Sequence, residues 1–213
     1  MLHPSSNLPH QHFYPSPPST MSSLTNLQQG CLDAYAAACN LMPPDLLRAF
    51  ILIGGAATIA QGSPERKTED INIAVSPDAL VAFVSLADNR RGGFARHNDE
   101  SFTWDVTAQG KVSFQIPIEL LLIPGPFVPR SLSVDKFRSG FVATIQELVR
   151  LRMSSLVGRG DDKDYRDLQL LLPMAETRGI LLPDIVDEEE FGDMMAAVEL
   201  VGADCYGGMF VSI

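Results

Sequence analysis

The chain has 213 residues, 46% of them hydrophobic and 20% charged, and a formal net charge of −10. That composition suits one globular domain with short appendages, large enough to bury a core without staples. The acidic balance argues against a surface built to hold the phosphates of a long nucleic acid, while leaving room for a local basic pocket that takes one nucleotide.

The three cysteines, Cys31, Cys39 and Cys205, include no CxxC pair. Their spacing supplies neither a zinc site nor a disulfide framework, so free thiols in a reducing compartment are expected. Residues up to Ser23 contain no Lys or Arg, so the basic start of a signal peptide is missing. The longest apolar run, Ile116 to Pro124, is too short to span a bilayer and contains Glu119. No membrane partner and a cytoplasmic or nucleocytoplasmic location are the resulting expectations.

Residues 1–23 are rich in Pro, Ser and His and read as a disordered tail, with His3, His10 and His12 in no common metal-ligand pattern. A folded domain is expected over 24–205, followed by a short tail over 206–213. Leu24, Leu27, Cys31, Tyr35 and Ala38 recur at helical spacing, with a stop at Asn40 before Pro43-Pro44, after which Pro44 can open a short turn. Phe50 to Ile53 reads as a buried strand ended by Gly54-Gly55, and Ala56 to Gln61 as a short helix closed by Gly62. After a polar turn, Ile71 to Val75 is a second strand. Ser76 is placed to cap a helix that has Pro77 in its first position and runs to about Asp88.

A β-meander is expected over Phe94 to His97, Phe102 to Thr107 and Val112 to Ile123, bounded by Gly- and Asn-rich turns. Beyond Gly125-Pro126 the chain reads as helical, with helices over Thr144 to Met153 and Asp162 to Leu172 and an acidic helix over 187–201. Together these elements predict an α+β fold: a mixed sheet flanked by helices, with helices at the C-terminal end.

The chemistry is concentrated in GGAATIAQGSPERKTEDIN. A strand running into Gly54-Gly55 exposes backbone amides with no Cβ in the way, and the following helix points its positive end at the same place. Asp70 and Asn72 alternate on one strand and project together, whereas Glu69 points to the other face. A pair of carboxylates at that spacing is a common way to hold Mg²⁺ beside a triphosphate. Glu119 is the candidate third ligand from a neighbouring strand, or else the ion-pair partner of Arg66 or Arg96. Trp104 reads as a core or meander-face residue, and His97 as a loop histidine.

This string, with the later RMSSLVGRGDDKDYRDL, resembles the DNA polymerase β-like nucleotidyltransferase superfamily. The likeness is greatest to its compact members of the abortive-infection-toxin type and related fungal proteins, and it covers roughly residues 46–172. It implies a nucleotidyltransferase-type fold, Mg²⁺ or Mn²⁺ as cofactor and an NTP as substrate, with the acceptor (protein, RNA or small molecule) left open. Gly54 and Gly55 would cradle the phosphates, and Arg66 and Thr68 would line the approach. Asp70 and Glu119 would be the catalytic carboxylates and metal ligands, with Asn72 where the family has its second carboxylate. Arg152 stands where the family often has a lysine facing the triphosphate. Lys163 would add a positive group, and Asp167 would orient the basic side chains. Asn72 brings an oxygen but no charge, so three readings stand: a nucleotidyltransferase, a nucleotide-binding pseudoenzyme and an interaction domain.

Overall fold

The structure, a computed structural model, describes residues 23–87, 91–98, 100–106, 114–128 and 130–180, with residues 192, 195–197 and 199. The expected tails 1–23 (save Ser23) and 206–213, the histidines of the first tail, Cys205 and most of the acidic helix 187–201 lie outside them. The described residues of that last helix are helical.

Helix α1 spans Asn26–Leu41 and starts on Thr25, which accepts from the Gln28 N–H while the Gln28 side chain accepts from the Thr25 N–H. This reciprocal pairing satisfies two donors that a helix start otherwise leaves open. Strand β1, Phe50–Ile53, is buried along its whole length, as a central strand covered on both faces must be. Helix α2, Gly54–Ala60, begins at Gly54 itself, two residues earlier than its small-residue run suggests. The cause is Gly54, whose φ of +71° turns the strand directly into the helix. Strand β2 is Ile71–Val75, and Ser76 caps helix α3, Pro77–Ala87, by accepting from the Ala79 N–H at 3.2 Å.

Strands β3 (Phe94–Arg96), β4 (Ser101–Val106) and β5 (Phe114–Leu122) form the expected meander. The stretch after Gly125-Pro126 is not simply helical. A hairpin of β6, Val134–Phe137, and β7, Gly140–Ala143, precedes the helices. Its strands are four residues long and carry little alternation, and β7 is recruited by β1, about ninety residues earlier, so no local period marks it. Helix α4, Ile145–Arg159, ends on Gly160 in the left-handed region, and Asp161 immediately caps α5, Asp162–Thr177. Both helices run past their expected ends, α5 through Pro173.

The seven strands form one mixed sheet in the order β3-β4-β5-β2-β1-β7-β6. Register sets the faces: Phe50 and Leu52 lie beside Val75 and Ile73, while Ile51 and Ile53 lie beside Ala74 and Asn72. The first set faces α1 and α3 through Tyr35, Phe50, Phe83, Phe94 and Phe102, whose rings stack or meet edge to face at centroid separations of 5.1–6.4 Å. Tyr35 also bridges β1 and β7. Its hydroxyl is within hydrogen-bond reach of the Phe50 and Phe141 carbonyls and accepts from the Phe141 N–H at 2.9 Å. A Cβ on Gly140 would collide with Cys39 and with this hydroxyl, so the bridge depends on a glycine there. Among the described residues, no helix is long and apolar enough to cross a membrane.

Candidate functional site

The second face of the sheet carries the candidate site. Ile53, Asn72 and Glu119 form one row across β1, β2 and β5, because Ile53 is the Cα partner of Asn72 and Asn72 that of Glu119. Partners in register project to the same side, so the Asn72 amide and the Glu119 carboxylate stand on adjacent strands about 4.8 Å apart. Asp70 lies just ahead of β2, two residues from Asn72, and is exposed. Its carboxylate accepts from the Thr68 hydroxyl at 2.9 Å, which orients it. Glu119 is exposed and forms no ion pair among the described residues. Arg66 pairs with Asp167 instead, and Arg96 donates to the Asn98 carbonyl.

At the end of this row the chain turns through Gly54-Gly55. A Cβ on Gly54 would meet the Asn72 amide nitrogen at 3.1 Å and Arg152 Nη2 at 3.5 Å. One on Gly55 would meet Thr68 Oγ1 at 2.9 Å and Arg66 Nη2 at 3.2 Å. The two glycines therefore let two guanidiniums, a hydroxyl and an amide close around the start of α2.

What fixes the arginines is a buried ion-pair network between α4, α5 and the loop before β2. Asp167 is fully buried and takes Arg66 on one side and Arg152 on the other, with Arg152 Nε at 2.9 Å from Oδ2. The Arg66 Nε contact is an ion pair without hydrogen-bond alignment, and the aligned bond runs from its Nη2 to Oδ2 at 3.2 Å. Asp164, also buried, receives Arg152 Nη1 at 2.8 Å and Arg159 Nη2 at 3.1 Å. Buried charges persist only when paired in this way. The charge string at the start of α5 thus has two buried members, Asp164 and Asp167.

The consequence for chemistry is unequal. Arg66 is occupied by Asp167 and, through Nη1, by the Lys67 carbonyl. Arg152 has Nε and Nη1 engaged, which leaves Nη2 directed at Gly54. Lys163 is exposed on α5, and its backbone N–H is held by Asp161. Thr68 is buried, while His97 is exposed with Nε2 3.1 Å from Thr103 Oγ1. Trp104 is half-buried against Phe94 and donates to the Gly92 carbonyl at 2.7 Å.

Gln28 went unnoticed in the sequence. Besides capping α1, its amide nitrogen lies 2.6 Å from the Pro64 carbonyl and 2.8 Å from that of Arg66, tying the Arg66 loop to the helix. The capping-box spacing marks Gln28 as a local partner of Thr25, but nothing local signals this second reach. Cys31 and Cys39 are buried and free. Burial, followed by the nearby Asp70 charge, pushes the Cys31 thiol up to about 12, and burial raises Cys39 to about 11.

Among the described residues no group of three or more His, Cys, Asp or Glu side chains is placed to hold a metal ion. Asp70, Asn72 and Glu119 are two carboxylates and one amide. As hard oxygen donors they fit a Mg²⁺ that shares its coordination with water and phosphate better than a closed protein cage.

The mixed sheet, the helix opening on Gly-Gly and the paired C-terminal helices define a nucleotidyltransferase-type α+β fold. An antigenic nucleotidyltransferase-like protein from Paracoccidioides brasiliensis shares it, with a TM-score of 0.61 and 17% identity over 87% of this chain and 94% of that one. JHP933 from Helicobacter pylori aligns with a TM-score of 0.48 and 15% identity over 85% of this chain and 94% of that one. No protein-family model and no curated protein matches the chain by sequence.

Proposed function

We propose that the chain binds a nucleoside triphosphate with Mg²⁺ or Mn²⁺ at the start of α2 and transfers its nucleotide, through attack at the α-phosphate with release of pyrophosphate, to a protein, RNA or small-molecule acceptor. The observation that carries this reading is the convergence on Gly54 of Arg152 Nη2 and the Asn72 amide, with Glu119 beside Asn72 on the neighbouring strand. Backbone amides at the Gly54-Gly55 turn and the positive end of α2 favour phosphate, and Arg152 adds a guanidinium already held in place by two aspartates. Asp70, Glu119 and the Asn72 oxygen would hold the cation, which supplies Lewis-acid stabilisation of charge on the phosphates. Arg66 then acts as a clamp that braces the Asp70 loop against α5, with Thr68 orienting Asp70. A cytoplasmic location accords with two buried free thiols.

A second reading is nucleotide binding without turnover, and Asn72 favours it. Where two carboxylates would flank the phosphates at the start of β2, this chain has one, which weakens metal binding. The experiment is calorimetric titration with each of the four NTPs, with and without Mg²⁺ or Mn²⁺, beside a transfer assay with labelled NTP. Binding that needs metal, with labelled product, supports transfer. Binding without product supports the second reading, and no binding of any NTP would overturn both. The Asn72→Asp variant should bind Mg²⁺ in the presence of NTP at least tenfold more tightly. An unchanged affinity would mean the metal pocket lies elsewhere.

A further inference from the structure

Residues 61–70, between α2 and β2, form neither helix nor strand, yet they carry Arg66, Thr68 and Asp70. Carbonyls in such a segment have no regular ladder to satisfy them, so its path depends on the donors that reach it. Two of these carbonyls, those of Pro64 and Arg66, are taken by one side chain from far earlier in the chain. The Gln28 amide nitrogen lies 2.6 Å from the first and 2.8 Å from the second. Its oxygen accepts from the Thr25 N–H at 2.7 Å, and the residue is buried. Turning the amide over would set its oxygen against two carbonyls and its nitrogen against an N–H. Only one orientation satisfies all three contacts.

Of the two tasks, capping and tethering, only the second requires an amide. Glutamate completes a capping box as well as glutamine does, because the Thr25 N–H needs an acceptor alone. An ionised carboxylate has no N–H to give the Pro64 and Arg66 carbonyls and would oppose them. The tether fixes the stretch that leads into β2. Arg66, whose carbonyl Gln28 holds, engages Asp167 on α5, and Thr68, two residues on, orients the Asp70 carboxylate. The segment is thus pinned from α1 on one side and from α5 on the other, just ahead of Asp70.

We infer, on the reading of Asp70 as a ligand of nucleotide-bound Mg²⁺ or Mn²⁺, that Gln28 is a positioning residue for that cation. Its amide holds residues 63–70 in the path that presents Asp70 beside the Asn72–Glu119 row, and it touches neither metal nor nucleotide itself. Partners that orient metal ligands in this way are commonly worth about tenfold or more in affinity.

The test uses the full chain, with Mn²⁺ titrated calorimetrically in the presence of ATP, CTP, GTP or UTP, beside each NTP alone. Gln28→Glu keeps the cap and loses the tether, and Thr25→Ala does the reverse. Gln28→Glu should raise the Mn²⁺ dissociation constant about tenfold. Metal-free NTP binding should stay unchanged, because Arg152 is held by Asp164 and Asp167 rather than by the tethered segment. Thr25→Ala should lower Tm by about 2–4 °C and leave the Mn²⁺ affinity as it was. Gln28→Met, of similar length and without charge, should behave as Gln28→Glu does, and it keeps the test open if the carboxylate prevents folding. Amide hydrogen exchange, which needs no ligand, should quicken over residues 64–70 in both Gln28 variants and not in Thr25→Ala. A wild-type chain with no Mn²⁺-dependent binding of any NTP would overturn the nucleotide reading and the role of Gln28 with it. Wild-type binding with unaltered Mn²⁺ affinity in both Gln28 variants, an equal loss of Mn²⁺ and metal-free NTP binding, or unchanged exchange over 64–70 would each overturn the role of Gln28 alone.

Discussion

Replacing Asp167 by Asn removes one negative charge from the centre of the network with almost no change in volume. Asp167 is fully buried, and the Arg66 and Arg152 side chains it joins are each 18% exposed. Breaking a buried ion pair by removing one partner typically costs about 3–5 kcal/mol, because a charge is left uncompensated. Three features reduce that here. The asparagine oxygen still accepts an N–H, Arg152 keeps Asp164 at 2.8 Å, and both arginine side chains are partly exposed. A loss of about 2–3 kcal/mol remains, which for a domain of this size lowers Tm by roughly 5–10 °C. Thermal and urea unfolding of wild type, Asp167→Asn, Arg66→Gln and the double variant measure it. The two changes should be coupled by about 1–2 kcal/mol, since they remove the same interaction. A Tm within about 1 °C of wild type, or simple additivity, would refute the idea that Asp167 holds the Arg66 loop to α5.

Gly55→Ala should destabilise by about 1–3 kcal/mol in urea unfolding, because its Cβ meets the buried Thr68 side chain at 2.9–3.0 Å and overpacking outweighs the gain in helix propensity. Gly54→Ala meets atoms no closer than 3.1 Å but sits at φ +71°, so about 1–2 kcal/mol of backbone strain is expected. Tyr35→Phe should cost about 1–3 kcal/mol in the same assay, since it leaves the Phe141 N–H without its partner between β1 and β7. Cys31 has a folded pKa of about 12 against an ordinary 9.0, so the native state holds its proton longer than the unfolded chain. Its contribution is fully present below pH 9.0 and is lost as pH rises toward 12, so the Tm should fall between those values and fall less in Cys31→Ala.

Much of the site is legible because its signals are local. Gly54-Gly55 after an apolar run marks the turn into α2, and period-two alternation puts Asn72 on the face that Asp70 approaches. Ser76-Pro77 marks the start of α3 through capping chemistry that spans only three residues. These patterns depend on neighbours in the chain, so they survive without knowledge of the fold. The hairpin of β6 and β7 did not, because its strands are defined by pairing with β1 rather than by their own period.

By itself, then, the sequence determined the element types along most of its length, the fold class and the residue types gathered around Gly54. Only the tertiary structure decided how those residues divide their work. Register between β2 and β5 brought Asn72 beside Glu119, and burial of Asp164 and Asp167 spread the charge of three arginines between them. Packing of α5 against α4 holds Arg152 between Asp164 and Asp167, so that its Nη2 reaches Gly54 at the start of α2. The physical reason is range. Caps and alternation act within a few residues, whereas strand register and the pairing of buried charges are set by contacts between segments far apart in the chain.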